Sequence, residues 1–340
     1  MSKPGLTYSV QDRSILLPFY KRFVIEPTVP LIPRRVDPNL ITHVGHAANL
    51  AAVAALAAFG GPRGGWPFAV AAALLHFYNY CDNADGAHAR RTGQCSAMGE
   101  LLDHGLDLLN VAYIAAMTAM AVGASPLWSV AVMILIPAAA AATYWEQAET
   151  GVFELGLLNQ VESITILSAA LIASAIFGTD VWTRVHLGPV ALREIALVVV
   201  CAGTAASVAR TFTRVVAKRG AALPFAPLVL LGAGTFAAAA TGALAAPAAI
   251  AIATSGLVFF GMRSLSLRVR GKKPLFERGV FVVATGALAL AGLAALGRAL
   301  PPSVGLAFTI GASGFFAALA VVAAGRSLRA ALRHDAARRG

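Results

Sequence analysis

Apolar runs of about twenty residues, bounded by Gly, Pro or charge, recur along the chain at 39–60, 66–89, 97–123, 126–146, 160–178, 189–212, 224–245, 247–263, 277–298 and 302–325. A helix needs about 20 residues to cross a hydrocarbon layer about 30 Å thick, and each run approaches or exceeds that length. The runs are continuous and rich in Ala, Leu and Gly, without the short polar–apolar alternation of a membrane β-strand. The pattern predicts an all-α, polytopic helical membrane protein with about ten transmembrane helices. Ahead of the first run, Ser14–Glu26 mixes Phe19, Tyr20 and Phe23 with Lys21 and Arg22, which predicts a helix lying in the membrane interface.

Composition narrows the class. Of 340 residues 58% are hydrophobic and 13% charged, about half the charged fraction of a soluble domain, so no large soluble domain fits. Placing the N-terminus in the cytoplasm leaves only Arg63, Arg184, Arg193 and Arg298, of 27 basic residues, on the far side. That is the positive-inside distribution, and it predicts an integral membrane protein with both termini cytoplasmic. The net charge of +11 is then an orientation signal and a match to anionic headgroups, and nucleic acid is not an expected partner. Cys81, Cys95 and Cys201 are too few and too scattered for a zinc site or a disulfide framework. Met1–Asp37 carries no cleavable-signal pattern, so the first span is expected to direct insertion. Three segments are expected: 1–37, cytoplasmic or interfacial; 38–215, the helices carrying the chemistry; and 216–340, a four-helix scaffold or dimerisation region with a basic tail. The last is rich in glycine among alanines (Gly232, Gly234, Gly286, Gly292, Gly311, Gly314), a composition that permits close helix packing in lipid.

Only 16 acidic residues occur in the chain, yet Asp82, Asp85, Glu100, Asp103 and Asp107 crowd the end of the second run and the start of the third. Carboxylates at membrane depth are costly and mark function when they cluster. On helices, Asp82 and Asp85 (three apart) and Asp103 and Asp107 (four apart) project as pairs from one face each. Two such pairs on neighbouring helices can close around one or two divalent cations, and hard oxygen ligands without nearby Cys favour Mg²⁺, Mn²⁺ or Ca²⁺ over zinc. Gly86 and Gly99 leave room for a bulky ligand. Arg90, one turn beyond Gly86, supplies the cationic fork that a diphosphate requires. An acidic cluster alone would also suit a cation pathway; Arg90 within it, and the lack of an acidic counterpart in the later spans, favour phosphoryl transfer.

The run Asp82-Asn-Ala-Asp85-Gly86-Ala-His-Ala89-Arg90, followed after eight residues by Gly99-Glu-Leu-Leu-Asp103-His-Gly-Leu-Asp107, resembles the signature D-x2-D-G-x2-A-R-x8-G-x3-D-x3-D of the CDP-alcohol phosphotransferases. The resemblance implies Asp82, Asp85, Asp103 and Asp107 as ligands of Mg²⁺ or Mn²⁺, two ions in all, with Gly86, Ala89, Arg90 and Gly99 around the CDP moiety. Arg90-Arg91-Thr92, Asp103-His104-Gly105, Asp12–Pro18, Pro38–Thr42 and the connector Tyr144–Glu162 are similar to the choline/ethanolamine branch, although Ala87 and His88 stand where that branch usually has Lys and Gln. The implied reaction transfers phosphocholine or phosphoethanolamine from its CDP ester to diacylglycerol at the cytoplasmic face, releasing CMP, by a homodimer. The alternative is a phosphatidyltransferase taking CDP-diacylglycerol and a soluble alcohol (inositol, serine or glycerol phosphate).

Two candidates compete for the base. The wider family points to Asp107, and the choline/ethanolamine branch to His104 with Glu162 behind it. An imidazole suits proton acceptance at neutral pH, whereas a metal-bound aspartate is a poor acceptor, so His104 with Glu162 is favoured. Asn39 either bonds the nucleotide or caps the first span. His43, His46 and His76 read as packing or hydrogen-bonding residues, Tyr144 and Trp145 as interfacial anchors, and Glu146 and Glu149 as solvated loop acids.

Overall fold

The computed structural model describes residues 9–156, 159–220, 222–298 and 300–339. Among the described residues, ten helices of 15 residues or more follow the ten apolar runs: α1 (Pro38–Phe59), α2 (Trp66–Thr92), α3 (Ala97–Ala121), α4 (Pro126–Thr150), α5 (Gln160–Phe177), α6 (Leu192–Arg219), α7 (Ala226–Ala240), α8 (Ala246–Val269), α9 (Arg278–Ala295) and α10 (Pro302–Arg339). Eight are long and apolar enough to cross a membrane. The other two, α2 and α3, have 27 and 25 residues and carry the acidic cluster. The chain is an all-α polytopic membrane protein.

Local chemistry sets the helix ends. Asp37 caps α1 by accepting from the Asn39 N–H at 2.9 Å, with Pro38 in the first turn, where its missing N–H is not needed. The N-cap role therefore falls to Asp37, and the Asn39 side chain is left for other work. α2 and α4 end at Gly93 and Gly151, both in the left-handed region (φ 75° and 77°) that glycine enters without a Cβ clash. The start of α3 is capped twice. Ser96 Oγ accepts from the Gly99 N–H at 2.9 Å, and Asp335, far along the chain, accepts from the N–H groups of Ala97 and Met98 at 2.9 and 3.1 Å.

Packing divides the chain into two compact units. One contains Val10–Gly123, Glu154–Ala196 and the residues from Ala331 onward. In it α1 packs on α2, α2 on α5, α5 on α3 and α3 on α1, a closed ring of four helices in which α2 and α3 stand opposite each other. Ala52, Leu56, Leu75, Tyr78, Met117, Ile164 and Leu171 fill the ring. At the α1–α2 crossing a Cβ on Gly45 would lie 2.7 Å from Cys81 Cβ, so the backbones approach through a missing side chain.

An N-terminal arm belongs to the same unit. Leu17–Leu31 is a continuous but irregular helical run. Leu17, Ile25 and Val29 are buried, the latter two against Ala84 of α2, while Ile15, Phe19, Phe23 and Leu31 are exposed beside Lys21 and Arg22. This two-faced arm is the element expected at the membrane interface. Arg91 donates to the carbonyls of Val29 and Ile32 at 2.6 and 3.2 Å, and the wholly buried His88 bonds the Val36 carbonyl at 3.0 Å through Nε2.

The other unit contains Ala124–Phe153 and Leu197–Ala330, so α4 packs with the C-terminal helices. Here three expectations are corrected. Tyr144 and Trp145 are not interfacial anchors: both are buried, Trp145 stacking on Phe225 with ring centroids 4.7 Å apart. Glu146 is not a solvated acid but fully buried, its two oxygens taken by Arg214 at 2.8 and 2.6 Å. Glu149 is buried as well. Of the glycines, Gly232, Gly234 and Gly286 seat Ile134, Ala284 and Phe308, whereas a Cβ on Gly292, Gly311 or Gly314 would meet nothing within 4 Å.

Glycine at the α1–α2 crossing should therefore be far less replaceable than glycine in open space. Gly45→Val is expected to destabilise the protein by about 1–3 kcal/mol through overpacking, and Gly311→Ala to leave stability unchanged or slightly raised. Thermal unfolding in detergent measures both; equal melting temperatures would show that the crossing is not close-packed.

Candidate active site

The acidic cluster sits between the two opposed helices of the ring. Asp82 on α2 and Asp103 and Asp107 on α3 each place a carboxylate oxygen within 4.8 Å of the others. Among the described residues none of the three, nor Asp85, makes an ion pair. What surrounds them instead is a set of neutral donors. Gln160, opening α5, donates from Nε2 to Asp82 Oδ2 at 2.8 Å, and the Tyr78 hydroxyl reaches Asp107 Oδ1 at 3.4 Å. Asp85, buried, is turned aside: its Oδ2 accepts from Thr42 Oγ1 on α1 and its Oδ1 from the Gly86 N–H, each at 2.5 Å. Three of the four signature aspartates thus share one space, and the fourth borders it.

Hydrogen bonds of this kind orient carboxylates without cancelling their charge. Three oxygen donors converging from opposite helices, with no cationic side chain paired to them, are the donor set of a hard divalent cation, built into a bundle core. The residues fit a metal ion of that class.

The remaining signature residues lie toward the shared end of α2 and α3, which we term the mouth. The exposed Arg90 folds its guanidinium back over Gly86, where an added Cβ would lie 3.2 Å from it. A Cβ on Gly99 would meet Asn39 Oδ1 and Ser96 Oγ, each at 3.2 Å, so the missing side chain lets Asn39 pack close against the start of α3. Ala89 lies half-buried between the exposed Arg90 and the buried His88. The replacement of the branch's usual Gln by His88 is explained by the fold, since the imidazole fastens the chain ahead of α1.

His104 is buried on α3. The carboxylate of Glu162 is fully engaged by other groups: Oε1 accepts from Ser14 Oγ at 2.6 Å and from the N–H groups of Ile15 and Leu16 at 2.8 Å, and Oε2 accepts from the Asn159 N–H at 3.2 Å. None of these four bonds involves His104. Asn159 completes a capping box with Glu162 at the start of α5 and also donates to Asp12 at 2.8 Å. Glu162 therefore ties the N-terminal arm to the ring.

Sequence reasoning gave no role to Thr42, Tyr78 or Gln160. Thr42 lies one turn beyond Asn39 on α1, and Gln160 two residues before Glu162; both offsets fall on motifs already in view, and only the assembled ring shows that they converge on the aspartates.

The ring of helices and its acidic centre define a membrane-embedded protein whose carboxylates fit a divalent cation beside an arginine-bearing end. Residues 35–190 match the profile of the family described as CDP-alcohol phosphatidyltransferase, so that part of the chain is a domain of this kind. It is 34% identical over 185 residues, 52% of its own length and 46% of the relative's, to an uncharacterized CDP-alcohol phosphatidyltransferase class-I family protein of Dictyostelium discoideum. It is 29% identical over 210 residues to cholinephosphotransferase 1 of Gallus gallus (59% and 62% covered) and 31% identical over 163 residues to that of Mus musculus (44% and 39% covered). The chain thus spans about half the length of the curated relatives it matches.

Metal binding in the absence of any substrate should follow the geometry. Asp103→Asn removes a ligand charge and Gln160→Leu removes only an orienting donor; each is expected to weaken Mn²⁺ binding, the latter by about ten- to a hundredfold. Calorimetric titration of the purified protein reads this directly, and an unchanged isotherm for Asp103→Asn would show that the carboxylates hold no metal.

Proposed function

We propose that the protein transfers a phospho-alcohol, phosphocholine or phosphoethanolamine, from its CDP ester to diacylglycerol and releases CMP, using Mg²⁺ or Mn²⁺ held by Asp82, Asp103 and Asp107, with Asp85 completing a two-ion site. The observation that carries the reading is the convergence of the signature carboxylates at one centre directly below a mouth formed by Arg90, Gly86, Gly99 and Asn39. Cholinephosphotransferases among the relatives support the choline/ethanolamine donor.

In this reading the diphosphate enters from the mouth. Arg90 takes non-bridging oxygens, a task for which its planar fork is suited. Gly86 and Gly99 admit the bulk of the nucleotide, and Asn39 and Ala89 border it. When bound, the metal ions supply charge neutralisation for the diphosphate and for the leaving oxygen. The acceptor hydroxyl attacks the β-phosphorus, the bond from that phosphorus to the CMP oxygen breaks, and the hydroxyl proton passes to a base. His104 serves as that base, since Asp107 is committed to the cation and a neutral imidazole has a lone pair to offer. Glu162 contributes by fixing the arm and the start of α5, from which Gln160 orients Asp82.

The arrangement of basic residues supports a cytoplasmic side for the mouth and both termini, where CDP esters are soluble. Residues 38–215 supply the chemistry and 216–340 the scaffold, whose glycines facing open space (Gly292, Gly311, Gly314) suit contact with a second copy in a homodimer.

The purified protein with Mg²⁺ should release CMP from CDP-choline or CDP-ethanolamine only when diacylglycerol is present. Asp107→Ala and His104→Ala should each lower kcat by at least about a hundredfold, the usual scale for loss of an acid–base group. CMP release from CDP-diacylglycerol with a soluble alcohol, and none from CDP-amino-alcohols, would keep the catalytic centre and reverse donor and acceptor.

A further inference from the structure

Below the carboxylates the ring carries a second polar group that the reaction as described does not use. On α1, His46 follows Thr42 by four residues and Asn49 follows His46 by three, so all three share a face. On α3, Asn110 follows Asp107 by three residues, about 4.5 Å further along the helix and away from the mouth. The two faces meet: His46 Nδ1 lies 3.0 Å from Asn110 Oδ1, and Asn49 Nδ2 lies 3.3 Å from the Asn110 carbonyl and 3.2 Å from Asn110 Oδ1. Asn49 and Asn110 are buried, and the Tyr113 ring lies against His46 with ring centroids 5.6 Å apart.

The hydrogen bonds fix the tautomer. The Asn110 backbone carbonyl can only accept, so the Asn49 atom facing it is the amide nitrogen. That nitrogen can only donate, so the Asn110 side-chain atom beside it is the oxygen, and His46 Nδ1 must then be the protonated nitrogen. Nε2 of a neutral His46 is left with a lone pair. Asn49 Oδ1 is likewise an acceptor, wholly buried and without a hydrogen-bond partner among the described residues. The group thus offers two acceptors beside the amide N–H groups of Asn110, which none of these bonds uses, an arrangement suited to a ligand that brings a hydroxyl.

We infer that His46, oriented by Asn110 and accompanied by Asn49, is the subsite that seats the hydroxyl of the lipid alcohol on binding, before that hydroxyl turns to His104 for the attack. The inference rests on the reaction proposed above, in which the nucleotide fills the mouth side of the carboxylates. An alcohol attacking in line with the leaving CMP must come from the opposite side of the phosphorus, and a lipid alcohol reaches the ring from within the bilayer. Both requirements place the acceptor on the side where His46 lies.

The test uses the full chain in lipid nanodiscs, with diacylglycerol and CDP-choline varied separately. His46→Leu is expected to raise the KM for diacylglycerol about tenfold or more while leaving the KM for CDP-choline and the Mn²⁺ isotherm within about twofold. His46→Gln, which keeps an acceptor at similar reach, should recover most of the diacylglycerol affinity and stands in if the leucine variant does not fold. An unchanged KM for diacylglycerol, or an equal rise in both KM values, overturns the inference. A photoreactive diacylglycerol separates this from the reaction itself: it should label the wild type, compete with unlabelled diacylglycerol and label His46→Leu at least tenfold less. If that pattern holds in a protein that releases no CMP, the proposed reaction falls and the subsite stands. If CMP is released but His46→Leu labels like the wild type, the subsite falls and the reaction stands.

Discussion

Three carboxylates within 4.8 Å of one another, between helices and without a paired basic side chain among the described residues, set the terms for the unit that holds them. Like charges at that spacing repel, and in a low-dielectric setting the repulsion is weakly screened. The fold answers with geometry. α2 and α3 are held opposite each other by α1 and α5, so the carboxylates face across a gap, and each flanking helix lends a neutral donor: Thr42 from α1 and Gln160 from α5. Neutral donors hold the oxygens in place but leave the negative charge for a cation to claim. A lysine in any of these positions would have neutralised the carboxylates from within the ring.

The arm follows from the same constraint. Gln160 can hold Asp82 only if the first turn of α5 is fixed, and that turn is built by the Asn159–Glu162 capping box. Glu162 takes four donors, three of them from Ser14, Ile15 and Leu16. The arm that presents Phe19 and Phe23 outward is thereby joined, through one helical turn, to the carboxylate centre. His88 and Arg91 hold the arm's other end, so the signature helix both carries the chemistry and anchors the segment lying over it.

Much of this was readable in the chain because the membrane imposes it. A bilayer demands runs of fixed length whatever the tertiary structure, and the ten long helices fall on the ten apolar runs. The signature was readable because its spacing is local: carboxylates three and four residues apart share a helix face in any context. The interactions that escaped reading join residues distant in sequence. Glu146 looked like a surface acid because Arg214 is 68 residues away, and Trp145 looked like an interfacial anchor because Phe225, on which it stacks, lies far along the chain. Asp335, 238 residues from Ala97, sits among the basic residues of the C-terminus, where nothing in the pattern marks it as the second cap of α3. Glu162 shows a subtler limit. Its place at the head of an apolar span marked it as important, but the same oxygens that could orient an imidazole also complete a capping box and bind an arm, and only assembled packing decides among them.

Polar residues inside a membrane protein are commonly credited with holding helices together, since in hydrocarbon apolar packing alone supplies no hydrophobic drive between them. The α1–α3 contact uses them that way and goes further. Asn39 beside Gly99, Thr42 against Asp85, and His46 and Asn49 against Asn110 form one descending series along α1. Were adhesion the whole purpose, every donor would find an acceptor and every acceptor a donor, because an orphan buried in lipid costs more than a matched pair returns. The series is matched at its middle, where Thr42 holds Asp85, and unmatched at depth, where Asn49 Oδ1 has no donor among the described residues. The imbalance lies one turn from the carboxylates, on the side away from the mouth. The ring's polarity, carboxylates at its centre and an unmatched acceptor deeper along α1, comes from which side chains α1 turns toward α3.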